Sequence, residues 1–256
     1  MNEQIKIVEV SNIPDYITAI ESLSEGSDLW FRGVPSNTFT LTPSIYRNKF
    51  DSGDEKILQT KFKSRAIPFL KNRPVENYWE WLFLMQHFGL PTRLMDWSSS
   101  ALIALGFAII FRESHVSTHD AGVWCLKPIV LNKCTKIDID PEGIIPDITA
   151  DDAISKFYEI KSRYQADYPI AITGPLNNER ITAQKGVFTL FPDKASFNLE
   201  DLSNAHDFLS IITIKNQYIE DIKGQLSSLG ITETAIYPDL NNLALEIRNE
   251  YLKNKR

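Results

Sequence analysis

The chain has 256 residues, 43% hydrophobic and 23% charged, the make-up of an ordinary soluble globular protein long enough for a sizeable core. With 27 Lys and Arg against 33 Asp and Glu its net charge is -6, which argues against a non-specific nucleic-acid coat but leaves room for a local basic cleft. No stretch reaches the ~18 uninterrupted apolar residues of a membrane span, and the polar start Met1-Asn-Glu-Gln has no signal-peptide pattern. Cys125 and Cys134, in no zinc or CxxC spacing, fit a reducing compartment, so a cytoplasmic protein without membrane contact is expected. The absence of repeats, low-complexity tracts and linkers predicts a single domain over 1–256.

Residues 14–24 place Tyr16, Ile17, Ile20 and Leu23 at helical spacing behind Pro14, which suits a first turn. Leu29–Gly33 reads as a short strand ending at a glycine. Residues 51–71 predict an amphipathic helix with Ile57, Leu58, Phe62, Ala66 and Phe69 on its apolar side and Lys61, Lys63 and Arg65 on its polar side. A second helix from Glu76 to about Phe88 runs into Gly89-Leu-Pro91, since the residue before a proline disfavours helix. Ser98–Ser100 offers N-caps for Ala101–Phe111, a segment apolar all round and therefore a buried helix. Val123–Leu126 reads as a strand, and Thr149 with Asp152 signals a helix reaching Tyr164. Strands at 186–191 and 208–214, a helix at 216–229, an extended piece at 233–237 and a C-terminal helix at 240–254 complete the chain. Strands and helices mix without regular βαβ alternation, so the expected class is α+β.

The densest polar chemistry lies in Gln86-His-Phe-Gly-Leu-Pro-Thr-Arg-Leu-Met-Asp-Trp97, between two apolar segments. Polar groups held in a turn between packed elements describe a cleft wall. The alternative is a buried Arg93–Asp96 pair that only fixes the turn. No Gly-rich phosphate loop, Gly-x-Ser-x-Gly elbow or HExxH helix is present. His115 and His119 stand four apart but in a polar stretch without a third ligand, so no metal is expected. Lys61, Lys63, Arg65, Lys71 and Arg73 could track a phosphate backbone, or form a solvated helix face.

Phe31-Arg-Gly33, Leu41-Thr-Pro-Ser-Ile-Tyr-Arg47 and Gln86–Trp97 follow one another as in the FRG domain family, which this chain resembles from about residue 28 to 240. Arg180–Phe188 and Tyr237-Pro-Asp-Leu240 continue the resemblance. The family is associated with bacterial and phage-related gene sets. The order of elements also resembles, more distantly, the ADP-ribosyltransferase fold, which implies a central mixed or antiparallel sheet in two halves with surrounding helices. In that fold an early strand ends in a basic residue, a middle strand–helix unit grips nicotinamide-ribose, and a late strand begins with Gln-x-Glu. Trp30–Gly33, Leu90–Phe111 and Gln184-Lys-Gly186-Val-Phe-Thr would be the three elements here.

The resemblance implies NAD as substrate, held by Arg32, Gly33, Phe88, Thr92 and Trp97, with Arg32, His87, Arg93, Asp96 and Gln184 as the catalytic set. Arg32 at a strand end beside a flexible glycine could grip a diphosphate, while Trp30, Phe31, Phe88 and Trp97 could sandwich a ring. Gly186 stands where the usual glutamate would be; Asp96 could replace it, with Glu80 and Glu233 as weaker candidates. Three functions remain open on the residues alone. The first is an ADP-ribosyltransferase acting as a toxin or antiviral effector on nucleic acid or protein, with an antitoxin-like protein as a further partner. The second is a metal-independent nuclease or hydrolase using His87 as base beside Arg93 and Asp96. The third is a non-catalytic module that recognises a nucleotide or a partner protein.

Overall fold

Local sequence signals set many of the element boundaries. Asn12 accepts a hydrogen bond from Asp15 N and Pro14 sits in the first turn, which starts α1 (Ile13–Ser24) after β1 (Lys6–Val10). Asp51 and Asp54 form a capping box at the head of α3 (Ser52–Ala66), which follows β2 (Trp30–Val34) and the single turn α2 (Ser44–Arg47). Asn77 caps α4 (Tyr78–His87), and Ser100 caps α5 (Ala101–Ile109) directly after β3 (Leu94–Ser98). Next come β4 (Ala121–Leu126), α6 (Pro128–Cys134), α7 (Asp152–Tyr158), β5 (Ile170–Ile172), α8 (Glu179–Ala183) and β6 (Gly186–Leu190). The chain closes with α9 (Ala205–Phe208), β7 (Leu209–Ile214), α10 (Ile219–Ser228), α11 (Glu233–Ile236) and α12 (Leu240–Lys253). This computed structural model describes residues 4–47, 50–70, 75–112, 118–135, 137, 143–149, 152–160, 162–175, 179–193, 198–253 and 255.

The class is α+β, as expected, with one open seven-stranded sheet in the order β1-β7-β4-β2-β3-β6-β5. Only β1 and β7 run parallel; the other neighbours are antiparallel. β2 pairs with β4 from Trp30↔Leu126 to Val34↔Gly122, and β3 with β6 from Leu94↔Leu190 to Ser98↔Gly186. Between β2 and β3 the ladder shrinks to Phe31↔Ser98. The sheet is therefore continuous but pinched at its centre, and a cleft opens at that pinch.

One sheet face, carrying Phe31, Val123, Cys125, Ile212 and Ile214, is covered by α1, α5 and α10. The apolar α5 is buried against it as its composition requires. On the other side Trp30, Met95, Trp97, Trp124 and Phe208 form a second cluster, and α4 and α7 pack a third against β3, β5 and β6. α3 departs from its expected apolar stripe. It buries Glu55 and Gln59, one turn apart, while Ile57 is 53% exposed, and it ends at Ala66 rather than near residue 71, leaving Phe69 in a following 3-10 turn, 80% exposed. Gln59 donates to Tyr78 O (3.2 Å), and Glu55 meets Arg93, so polar bonding rather than hydrophobic burial anchors this helix. Residues 233–236 are helical, not extended: Thr232 accepts from Ala235 N and caps them. The helix expected from Thr149 begins only at Asp152 and stops at Tyr158, since Thr149 turns back to bond Asp147.

Gly33 lies inside β2, not at its end, and its role is steric. A Cβ there would stand 1.9 Å from Ala104 O and 2.7 Å from Ala108 N, both backbone atoms of α5. The bare backbone is what lets α5 lie against the strand. Gly33→Ala should force the two apart and cost about 1–3 kcal/mol or more, read as a lower midpoint in urea unfolding. An unchanged midpoint would refute the close-packing account.

Several buried groups keep their protons. Burial pushes the Cys125 thiol up from an ordinary value of 9.0 to about 12. Burial likewise raises Tyr16 and Tyr158, whose hydroxyls donate to Ala101 O and Tyr168 O. Above pH ~9 the unfolded chain loses these protons while the folded chain retains them, so stability falls as pH rises. The contribution of Cys125 is complete below pH 9 and declines toward about 12. The expected result is a melting temperature that drops through this window, with a shallower drop in Cys125→Ala.

Candidate functional site

The cleft encloses about 240 Å³ and draws on segments far apart in sequence. β2 contributes Phe31, Arg32 and Gly33; α4 contributes Phe83, Gln86 and His87; β3 contributes Asp96, Trp97 and Ser98. Phe107 of α5, Arg180 and Ile181 of α8, Gln184, Gly186, Phe188 and Tyr237 complete the walls.

Asp96 is the exposed position of an otherwise buried strand. A short relay holds its carboxylate. Gln86 Nε2 donates to Asp96 Oδ2 (2.7 Å), and the Thr92 hydroxyl donates to Gln86 Oε1 (2.5 Å) while accepting from Leu94 N (3.1 Å). Because Thr92 donates to the amide oxygen, the amide nitrogen of Gln86 is left facing the acid. Asp96 is the one carboxylate lining the cleft among the described residues.

Two guanidiniums face that acid's surroundings. Arg32 donates through Nη1 to the backbone oxygen of Asp96 (2.6 Å), bridging the gap where β2 and β3 have stopped pairing. Burial lowers its pKa; Asp96 opposes that effect and Arg47 adds to it. Arg180 lies over the Tyr237 ring (4.4 Å to its centroid) and donates to Tyr237 Oη (3.3 Å) and His87 O (3.5 Å). Tyr237 packs edge-on against Phe107 and Phe111, and burial raises its pKa, so the phenol stays a hydrogen-bond donor. Among the described residues neither Arg32 nor Arg180 makes an ion pair, so both remain able to bind an anion.

Of the expected site residues, Arg32, Gly33, His87, Asp96, Trp97 and Gln184 meet at this cleft. Arg93, Thr92 and Phe88 do not line it. The expected Arg93–Asp96 pair is replaced by Arg93–Glu55, because Leu94 starts a strand and residues three apart on a strand point to opposite faces. Arg93 is fully buried and donates to Glu55, Phe191 O and Tyr158 O. Thr92 is buried too and acts through Gln86, while Phe88 is 65% exposed beside the cleft.

Gln184 sits in the turn before β6 rather than on a strand; its side chain donates to Ile236 O (3.1 Å) and its carbonyl accepts from Ser98 Oγ (2.7 Å). Glu80 lies in the first turn of α4 and accepts from Glu76 N, and Glu233 borders a separate cavity and accepts from Asn249, so neither of these weaker candidates lines the cleft. Arg180, Tyr237 and Phe107 were absent from the expected site, and Gln86 was expected in the cleft wall but not among the catalytic or binding residues. The signal for the first two was present, in the family-like segments Arg180–Phe188 and Tyr237–Leu240.

No three His, Cys, Asp or Glu cluster as metal ligands among the described residues, and His115, Lys71 and Arg73 lie outside them. No described helix is long and apolar enough to cross a membrane. Residues 27–116 match the family model of the FRG domain, which takes in β2 through α5. No curated protein and no solved structure matches the chain.

Proposed function

We propose that this chain, whose residues 27–116 match the FRG domain, binds NAD at the β2–β3 cleft and transfers its ADP-ribose to a macromolecular acceptor. The observation that carries the reading is the convergence of three elements. The Arg32 strand, the β3–α5 unit and the Gln184-to-β6 segment lie on adjacent strands β2, β3 and β6 and all line one cleft. A shared site for these three elements supports the reading, since the distant resemblance to the ADP-ribosyltransferase fold expects them to act together.

The chemistry of the walls fits the substrate. Arg32 and Arg180 both line the cleft and offer two guanidiniums for a diphosphate. Phe31, Phe83, Phe107 and Phe188 give the apolar surface that a nicotinamide ring needs. At about 240 Å³ the cleft is smaller than the ~300–1,000 Å³ that encloses a drug-sized ligand, so it takes one ring with its ribose and leaves the rest of the dinucleotide at the open edge. The C1′–nitrogen bond breaks with its electron pair leaving on nicotinamide. The Asp96 carboxylate stabilises the positive charge that develops on the ribose, and an acceptor oxygen or nitrogen then attacks C1′ and releases a proton.

Purified protein incubated with NAD labelled in the adenosine half, together with cell lysate, should release nicotinamide and label a macromolecule. Arg32→Ala should lower the rate by roughly 10²-fold or more while melting within a few degrees of wild type. Absence of nicotinamide release would sink the reading. Nucleic-acid cleavage without NAD, dependent on His87, would transfer the cleft to the hydrolase reading.

A further inference from the structure

A ridge of aromatic rings runs from the surface to the mouth of the cleft. Trp81 and Phe62 meet edge to face with centroids 6.2 Å apart, Phe62 and Phe88 lie 6.4 Å apart, and Phe88 meets the His87 ring at 4.7 Å. His87 itself lines the cleft, so the row of rings is continuous with it. Phe88 is 65% exposed, which a ring serving only to fill a core would not be. The ridge is also basic. Lys63 Nζ lies 5.6 Å from the Trp81 ring centroid, and Lys61 and Arg65, one turn apart on α3, are exposed on the same last turns of the helix.

We infer that this ridge is the docking surface for a single-stranded nucleic acid, whose phosphates follow Lys61, Lys63 and Arg65 and whose unpaired bases stack on the exposed Phe88 ring and the half-buried Trp81 and Phe62 rings leading to the cleft. The charge argument is local: the chain as a whole carries -6, yet the charged residues in the last two turns of α3, Lys61, Lys63 and Arg65, are all positive, and Lys63 lies against the Trp81 ring. Aromatic faces interleaved with cations are the chemistry that holds unpaired bases without regard to sequence. A duplex keeps its base faces stacked inside and cannot use the rings. A protein acceptor would need neither the row of faces nor the flanking cations together. The inference deepens the proposed transferase reading, since it makes the acceptor a base or sugar of the bound strand, delivered past His87.

Binding is measurable without NAD, by fluorescence anisotropy with labelled single-stranded homopolymers of thymidine and of uridine, each about 15 nucleotides long. Both should bind, since stacking and phosphate contacts are shared by the two, and a duplex of the same length should bind more weakly. Phe88→Ala and Trp81→Ala should each weaken binding by roughly fivefold or more. Lys61→Ala with Arg65→Ala should make the slope of log K against log salt shallower by about 1.4. Phe88 is exposed, so its variant should fold, and a melt of each variant checks this. Equal or tighter binding of the duplex, no binding of either strand at roughly 50 mM salt, or aromatic variants that bind like wild type would overturn the inference. Nicotinamide release without strand binding removes the ridge and leaves the transferase reading. Strand binding without nicotinamide release does the reverse.

Discussion

Glu55→Gln and Arg93→Met are each expected to destabilise the fold by roughly 3–5 kcal/mol, one of the two largest effects foreseen for any single change in this chain. Both side chains are buried, and the pair is bonded on every side. Glu55 Oε1 accepts from the Arg93 backbone N (2.7 Å), and Oε2 accepts from Arg93 Nε (2.8 Å). The remaining guanidinium nitrogens donate to Phe191 O (3.2 Å), Tyr158 O (2.9 Å) and Tyr78 Oη (3.4 Å). Burial alone would lower the Arg93 pKa, but Glu55 and Tyr78 outweigh it and the net shift is upward, so the charge is held. Removing either partner strands a charge in an apolar interior. The melting temperature should fall by roughly 6–20 °C. The double variant Glu55→Leu/Arg93→Met should recover only part of the loss, because the Tyr158 carbonyl loses its guanidinium donor and the backbone N–H of residue 93 loses its carboxylate acceptor. A single variant that melts like wild type would show that α3 is not tied to β3 through this pair.

The pairing shows why the cleft was only half legible in the sequence. Gln86–Trp97 declares a polar turn between apolar segments, and its Gln, His and Asp do reach the cleft. Its Arg does not, because a partner 38 residues upstream claims it, and nothing in local spacing reports a contact of that range. From local pattern β3 was hidden for a related reason, being a five-residue strand directly behind the conspicuous Gly-Leu-Pro turn with a charged residue at its centre; only the resemblance implied a strand–helix unit over Leu90–Phe111. Once Leu94–Ser98 is a strand, Arg93 and Asp96 must part, one into the core and one into the cleft.

Elements with a cap and a helical period, such as α1 and α5, were readable within a residue or two at most boundaries. Short pieces fixed by tertiary contact were not. β1 is an edge strand with Ile7 66% exposed, and α11 is a single turn whose one local signal is the Thr232 cap. Arg180 and Tyr237 stand 57 residues apart and meet only because α8 and the end of α11 pack against each other beside the cleft.

Asp96→Asn is expected to produce the opposite pattern to Arg93→Met: a fold that melts within about 0.5 kcal/mol of wild type and a rate of nicotinamide release lower by roughly 10²–10³. The side chain is exposed, and its hydrogen bond is one it receives, from Gln86 Nε2 at 2.7 Å. An asparagine oxygen can accept that bond, so the Thr92–Gln86 relay and the cleft walls should stay in place. What is lost is the negative charge, and no other carboxylate among the described lining residues can supply it, since position 186 is a glycine. Restoring an acid there should fail. A Cβ at Gly186 already meets Ile181 Cγ2 at 3.1 Å, so Gly186→Glu in the Asp96→Asn background should give at most a small recovery of rate. Full activity in Asp96→Asn would take the chemistry away from this carboxylate. A loss of rate that tracks a loss of melting temperature would make Asp96 structural, as Arg93 is.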